Sequence, residues 1–177
     1  MANGVPRVYN HVGPLWSAGG GPFFRDDDIK PLRQEGPTCV ATTLAVVTGK
    51  TAEDFIGKMN TQDPISWSDV LKKEHGKKLS YCATDARKLE WFMPELLRLD
   101  DLFLLCYYTP TGSDAADILN APTETGWVCG SHVLTLHRSR ILDTIDGSVT
   151  PADEHGCWNH HTKRIFRVVP ADYERGL

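Results

Sequence analysis

Gln34-Glu35-Gly36-Pro37-Thr38-Cys39, running into Val40-Ala41-Thr42-Thr43-Leu44-Ala45-Val46-Val47, decides the reading of this chain. The Gly36-Pro37 step marks a turn. Thr38 is of N-cap type. Val40, Leu44 and Val47 fall at helical spacing, Ala41 and Ala45 add small packing positions, and Gly49 fits a C-terminal stop. The segment is therefore a loop feeding a buried helix, with Cys39 in the first turn.

Downstream, Thr51-Ala52-Glu53-Asp54 is a capping signal for a short helix through about Met59. Ser66 or Ser68 caps a third helix through Lys73 or Glu74, stopped near Gly76. A strand follows over 79–83, then a helix over 86–97 that Pro94 must break or restart. Residues 102–108 (Leu-Phe-Leu-Leu-Cys-Tyr-Tyr) form a buried-strand pattern. Residues 110–126 are loop-like, with a turn or two of helix at 114–119. Residues 127–137 and 140–145 form a β-hairpin, 147–162 a polar loop, and 164–169 a last strand. Helices come first and strands after. That order predicts an α+β domain over 31–177, an N-terminal helical lobe packed on a C-terminal antiparallel β-sheet. Residues 1–30, rich in Gly and Pro, read as an irregular N-terminal arm that Phe23 and Phe24 dock onto the body.

The 177 residues suit one domain. Surface scaling gives about 8,600 Å² folded against about 28,600 Å² extended, enough burial for a core without disulfide staples. Lys+Arg number 19 and Asp+Glu 23, a net charge of −4. No nucleic-acid partner is expected, because phosphate binding needs a basic face. A charge of this size is too weak to argue for basic substrates. The apolar run 102–108 is too short to span a bilayer, and the first 16 residues lack a signal-type apolar stretch. A cytoplasmic protein without a membrane partner is expected, unless a non-standard route exports it. Cys39, Cys82, Cys106, Cys129 and Cys157 are odd in number and contain no CxxC pair, which argues against a disulfide framework. Cys82 and Cys106, inside apolar runs, read as small core residues.

Cys39 differs. A helix N-terminus favours the thiolate, which is the nucleophilic form. Such a thiol needs a base, and the best candidate is His132, heading the alternating strand Gly130-Ser131-His132-Val133-Leu134-Thr135-Leu136-His137. His137, at the turn end, reads as solvated. The base needs an acceptor on its other ring nitrogen. A hairpin centred between Arg138 and Ser139 pairs Leu136 with Ile141 and Leu134 with Asp143. His132 and Asp143 then share a face as diagonal neighbours. Asp143 is the first choice for the third member. Asp146, which points to the other face unless a bulge intervenes, is the reserve. The Cys39 N–H and the Gln34 side chain are candidate donors to a developing oxyanion.

These residues resemble the papain-like cysteine peptidases, closest to the bacteriocin-leader-processing peptidase-like branch. The resemblance spans about 30–170 and keeps the order Gln, Cys, His, Asp. It implies a papain-like fold and a triad of Cys39 nucleophile, His132 base and acid, and Asp143 orienter, with Gln34 as oxyanion donor. It implies a cysteine protease-like hydrolase that cleaves a peptide, isopeptide or glutamine amide bond in a peptide or protein substrate, with no cofactor and no metal. The same constellation serves deamidases and transglutaminase-type or other acyltransferases. Two further readings stand beside it. His155-Gly156-Cys157-Trp158-Asn159-His160-His161 is dense in zinc-ligand types. A catalytically silent binding module could also be built on the same fold.

Overall fold

Two apolar faces of one sheet organise the chain. A computed structural model describes residues 14–83, 87–109 and 130–177. Its helices are α1 (Cys39–Thr48), α2 (Pro64–His75) and α3 (Met93–Leu99), with single 3₁₀ turns at Ala52–Asp54, Leu89–Trp91, Ala152–Glu154 and Gly156–Asn159. Its strands are β1 (Lys77–Ala83), β2 (Leu102–Thr109), β3 (Gly130–His137), β4 (Arg140–Asp143), β5 (Ser148–Pro151) and β6 (Thr162–Pro170). They form one six-stranded sheet in the order β1-β6-β2-β3-β4-β5, antiparallel at every junction. This is an α+β architecture.

The strand β2 is buried from Leu102 to Tyr107, so both sheet faces are covered. Leu102, Leu104 and Cys106 pack with Val133, Phe166 and Val168 against Leu44 and Ala45 of α1 and Trp67 and Leu71 of α2. Phe103, Leu105 and Tyr107 pack the other way, with Leu134, Leu136 and Ile165, against Leu96 of α3, Trp158 and Trp16. The helices are thus divided between the faces: α1 and α2 lie on one, α3 on the other.

Several local expectations need correction. The capping box at Thr51 and Asp54 forms, but it starts only a 3₁₀ turn. Gly57, at φ +80°, interrupts any helix to Met59. The α2 cap is Asp63, whose carboxylate accepts the Ile65 N–H, with Pro64 in the first turn. Ser66 instead accepts the Asn60 N–H, and buried Ser68 ties Leu79 N–H to the Leu177 carbonyl. Pro94 splits the expected 86–97 helix into a 3₁₀ turn and α3. The expected polar loop 147–162 contains β5, an exposed edge strand with Val149 as its one large apolar residue. So little alternation is invisible to a pattern reading. The expected turn at 114–119, the start of the hairpin at 127–129 and Cys129 lie outside the described residues.

Residues 14–30 contain no helix or strand and are held by polar anchors. The Asp101 carboxylate accepts the N–H of Phe23 and of Phe24, each at 2.8 Å, and Glu95 accepts the Leu15 N–H at 2.8 Å. Asp101 also pairs with Arg167 at 2.7 Å, and both are almost wholly buried. The Arg167 guanidinium lies 4.8 Å from the ring centres of Trp16 and Phe23. Removing one partner of such a pair leaves an uncompensated buried charge. Asp101→Ala should therefore lose about 3–5 kcal/mol of folding stability in urea unfolding followed by tryptophan fluorescence. A loss below about 1 kcal/mol, in the range of an exposed pair, would show that water reaches Arg167.

Candidate active site

The site forms where β3 outruns its neighbour. Pairing between β3 and β4 covers only Thr135 to His137 against Arg140 to Leu142, whereas β2 follows β3 to Gly130. The hairpin turn has positive φ at both Arg138 and Ser139, as a two-residue I′ turn requires, and Leu136 faces Ile141 as expected. The expected Leu134–Asp143 rung does not join the ladder. The strands diverge there, and the start of α1 fills the gap.

Val133 carries the free edge. Its carbonyl accepts from the buried Thr43 hydroxyl at 3.2 Å, and its N–H favours the Cys39 thiolate. The turn into α1 needs Gly36, at φ +65°, and Thr38 N–H bonds the Gly36 carbonyl at 2.9 Å. Thr38 holds the N-cap position without capping. Its hydroxyl bonds the Glu35 carbonyl at 3.0 Å and lies 3.2 Å from that of Thr42. The first amides of α1 therefore remain for the sulfur. Val40 N–H points to it, while the Cys39 N–H makes no hydrogen bond among the described residues.

His132 is 8 % exposed and Asp143 6 %. The His132 Nε2 lies 2.7 Å from Asp143 Oδ1. Its other nitrogen, Nδ1, is left for Cys39, to which the ring is hydrogen-bonded. An ionised carboxylate only accepts, so the Nε2 proton is fixed and Nδ1 is the basic atom. Tyr107, opposite His132 on β2, presents its ring edge-on at 5.7 Å.

The electrostatics follow from these contacts. Burial disfavours the Cys39 thiolate, but the hydrogen bond and charge of His132 and the Val133 and Val40 amides outweigh it and hold the thiol below its ordinary value. Burial also disfavours the His132 cation, yet hydrogen bonds and charge from Asp143 and Cys39 raise it to about 9. Burial is likewise overcome at Asp143, where His132, His155 and the Ile145 N–H hold the carboxyl well below the usual range. Both shifts act in the same sense, favouring a thiolate beside an imidazolium.

Of the four residues selected from the sequence, Cys39, His132 and Asp143 are brought into one hydrogen-bonded row. Gln34 lines the same cleft. Its N–H donates to the Thr144 carbonyl at 2.6 Å and its Oε1 accepts from the Thr144 hydroxyl at 2.8 Å. One Nε2 hydrogen goes to the Gly36 carbonyl at 2.9 Å, leaving the other for a ligand. Asp146 does not join them. It is exposed in the β4–β5 turn, its carboxylate accepting the Ser148 N–H at 2.9 Å. His137 is buried rather than solvated, its Nε2 bonding the Phe24 and Arg25 carbonyls at 3.2 and 2.9 Å.

Sequence reasoning misses His155. Its Nδ1 accepts the Cys157 N–H at 3.0 Å, which puts its proton on Nε2, 3.2 Å from Asp143 Oδ2. Asp143 thus accepts from two imidazoles and from the Ile145 N–H at 3.1 Å. The stretch 155–161, a metal pattern in the sequence, supplies this second imidazole. Cys157 is buried, and among the described residues no three His, Cys, Asp or Glu side chains are grouped to hold a metal ion. No helix of the described residues is long and apolar enough to cross a membrane. No protein-family model matches the sequence, and no curated protein matches it.

Because Asp143 raises the His132 pKa, its removal must lower it. In Asp143→Asn, the imidazolium should titrate about 1–3 units below its wild-type value. His155→Gln should move it the same way by less. Both are read from the His132 Hε1 shift against pH by NMR. An unmoved titration in Asp143→Asn would mean that the 2.7 Å contact does not exist in solution.

Proposed function

We propose that this protein is a papain-like thiol hydrolase, with Cys39 attacking the carbonyl carbon of a peptide, isopeptide or glutamine amide bond. The observation that carries the reading is His132, held by Asp143 through Nε2 with the Cys39 thiol on its other side. This order of nucleophile, base and orienter is what acyl transfer through a thioester requires.

In the first half-reaction, His132 Nδ1 takes the Cys39 proton and the thiolate adds to the carbonyl carbon. The oxyanion meets the Cys39 N–H and the remaining Gln34 amide hydrogen, donors placed before charge develops. The imidazolium then protonates the leaving nitrogen, and the C–N bond breaks to give a thioester and an amine or ammonia. In the second half-reaction, His132 takes a proton from water, hydroxide adds to the thioester, and the thiolate leaves with a carboxylic acid as product. Asp143 stays ionised throughout and keeps the ring aligned.

The test is iodoacetamide labelling against pH, read by peptide mass spectrometry. At pH 6–7, Cys39 should outpace Cys82, Cys106 and Cys157, which burial pushes up to about 12. His132→Ala should slow Cys39 about tenfold or more, since removing its imidazole partner raises the thiol pKa. Equal labelling of Cys39 and the buried thiols, or no effect of His132→Ala, would defeat the reading. Once a cleaved substrate is found, Gln34→Ala should lower kcat about 10²–10³-fold, the usual cost of one oxyanion donor. Unchanged kcat would remove Gln34 from the mechanism.

A further inference from the structure

The cleft that holds the Cys39 thiol has a volume of about 760 Å³ and extends well beyond the triad. One side is apolar, made by Val40 and Ala41 at the start of α1, Phe55 and Met59 of the segment that follows it, and Trp67 of α2. Ile56, in the same lining, is 53 % exposed. The other side is cationic. Lys163 and Arg164, near the start of β6, line the same space.

Arg164 is placed by the sheet itself. It pairs with Cys106 across β2 and β6, so it shares the face that α1 and α2 cover. It is half-buried and makes no ion pair with any described carboxylate. Asp143 is the one carboxylate among the described lining residues, and it is committed to His132 and His155. Among the described lining residues the fixed positive charges therefore outnumber the negative, in a chain whose net charge is −4. A guanidinium in a partly desolvated groove is a strong, geometrically demanding site for a carboxylate.

Resting on the reading of Cys39 as the nucleophile, we propose that the cleft selects extended peptide segments by two features together. One is an apolar side chain seated among Val40, Phe55, Met59 and Trp67. The other is an acidic side chain paired with Arg164. The substrate is thus an acidic-apolar segment of a protein, selected by charge complementarity with the cleft and against the sign of the whole molecule.

The experiment uses N-acetyl tetrapeptidyl vinyl sulfones with leucine at every position except one, which carries Asp or Lys in turn. The Cys39 thiolate adds to the vinyl carbon and the neighbouring carbon takes a proton, so each event is a mass gain of the whole probe. At one position, the Asp probe should label the full-length protein about tenfold faster than its Lys counterpart. The ratio should shrink as salt rises, as screening requires. Arg164→Glu should reverse it, Arg164→Gln should abolish it, and Ile56→Asp should slow every leucine-bearing probe. Equal Asp and Lys rates at all positions in the wild type, or an unchanged preference in Arg164→Gln, would overturn the proposal. Faster labelling by Lys probes would instead identify a basic segment as the occupant and overturn it equally. Iodoacetamide on the wild type separates the two failures. If Cys39 is not activated toward that small reagent, the thiol-hydrolase reading falls and takes this one with it. If Cys39 is activated but the vinyl sulfones do not discriminate, the specificity alone falls.

Discussion

The two polar groups of Val133 set the position of everything in the site. Strand β3 has no β4 neighbour before Thr135, and an unpaired, buried strand edge costs free energy unless another group satisfies it. Here the first turns of α1 do so, with the Thr43 hydroxyl bonded to the carbonyl and the Cys39 thiol within the influence of the N–H. Once those contacts form, Cys39 sits beside the residue next to Val133, which is His132. The Cys39 thiol meets the His132 imidazole because a helix terminus completes a sheet edge. Gln34 obeys the same constraint one step further on, bonded through its main chain and side chain to Thr144, the residue after Asp143.

The opposite face supports the row from behind. Asp143 lies beyond the β3–β4 ladder, so β5 still pairs with it at Ser148 but the restraint from β3 is gone. His155, Ile145 N–H and His132 converge on its two oxygens and replace that restraint. His155 is held in turn by the Cys157 N–H, within a 3₁₀ segment whose Cys157 and Trp158 are part of the core beneath β3 and β4. Farther along the same face, Asp101 and Arg167 fasten the arm, whose chain continues to Gln34.

How much of this is legible in the sequence depends on whether the signal is local. Gly36, Cys39 and the Val40–Leu44–Val47 spacing are local, and α1 forms as they predict. The Leu136–Ile141 rung is local to one turn, and strand parity then places Asp143 rather than Asp146 on the face of His132. The Asp63-Pro64 start of α2 was equally local; the two downstream serines compete with it in composition, and only the buried bonds of Ser68 show what they do instead. His155 and β5 are a different matter. One apolar residue in an edge strand carries no periodic signal, and a histidine in a polar stretch is indistinguishable from a ligand or a solvated side chain until the chain folds back on Asp143. Arg167 is the extreme case: a charged residue inside an apolar strand, explained only by Asp101 and two aromatic rings remote in sequence.

The cysteines make the strongest physical argument for chemistry at position 39, because they share a protein, a solvent and a side chain. Burial acts on all four described thiols in the same direction, disfavouring the thiolate. At Cys82, Cys106 and Cys157 it prevails, and the thiols are pushed up to about 12. At Cys39 the sign reverses. Its surroundings supply what the others lack: an imidazole held by a carboxylate, and peptide N–H groups that Thr38 leaves uncapped. A cysteine packed merely as a small hydrophobe has no use for an uncapped helix end, a free strand N–H and a histidine oriented from behind by Asp143. Each of these stabilises charge rather than packing, and all three converge on one sulfur at the wall of a cleft. The arrangement costs stability in the resting protein, since it keeps polar groups and opposite charges away from water. That cost has a physical rationale once a reaction uses the thiolate.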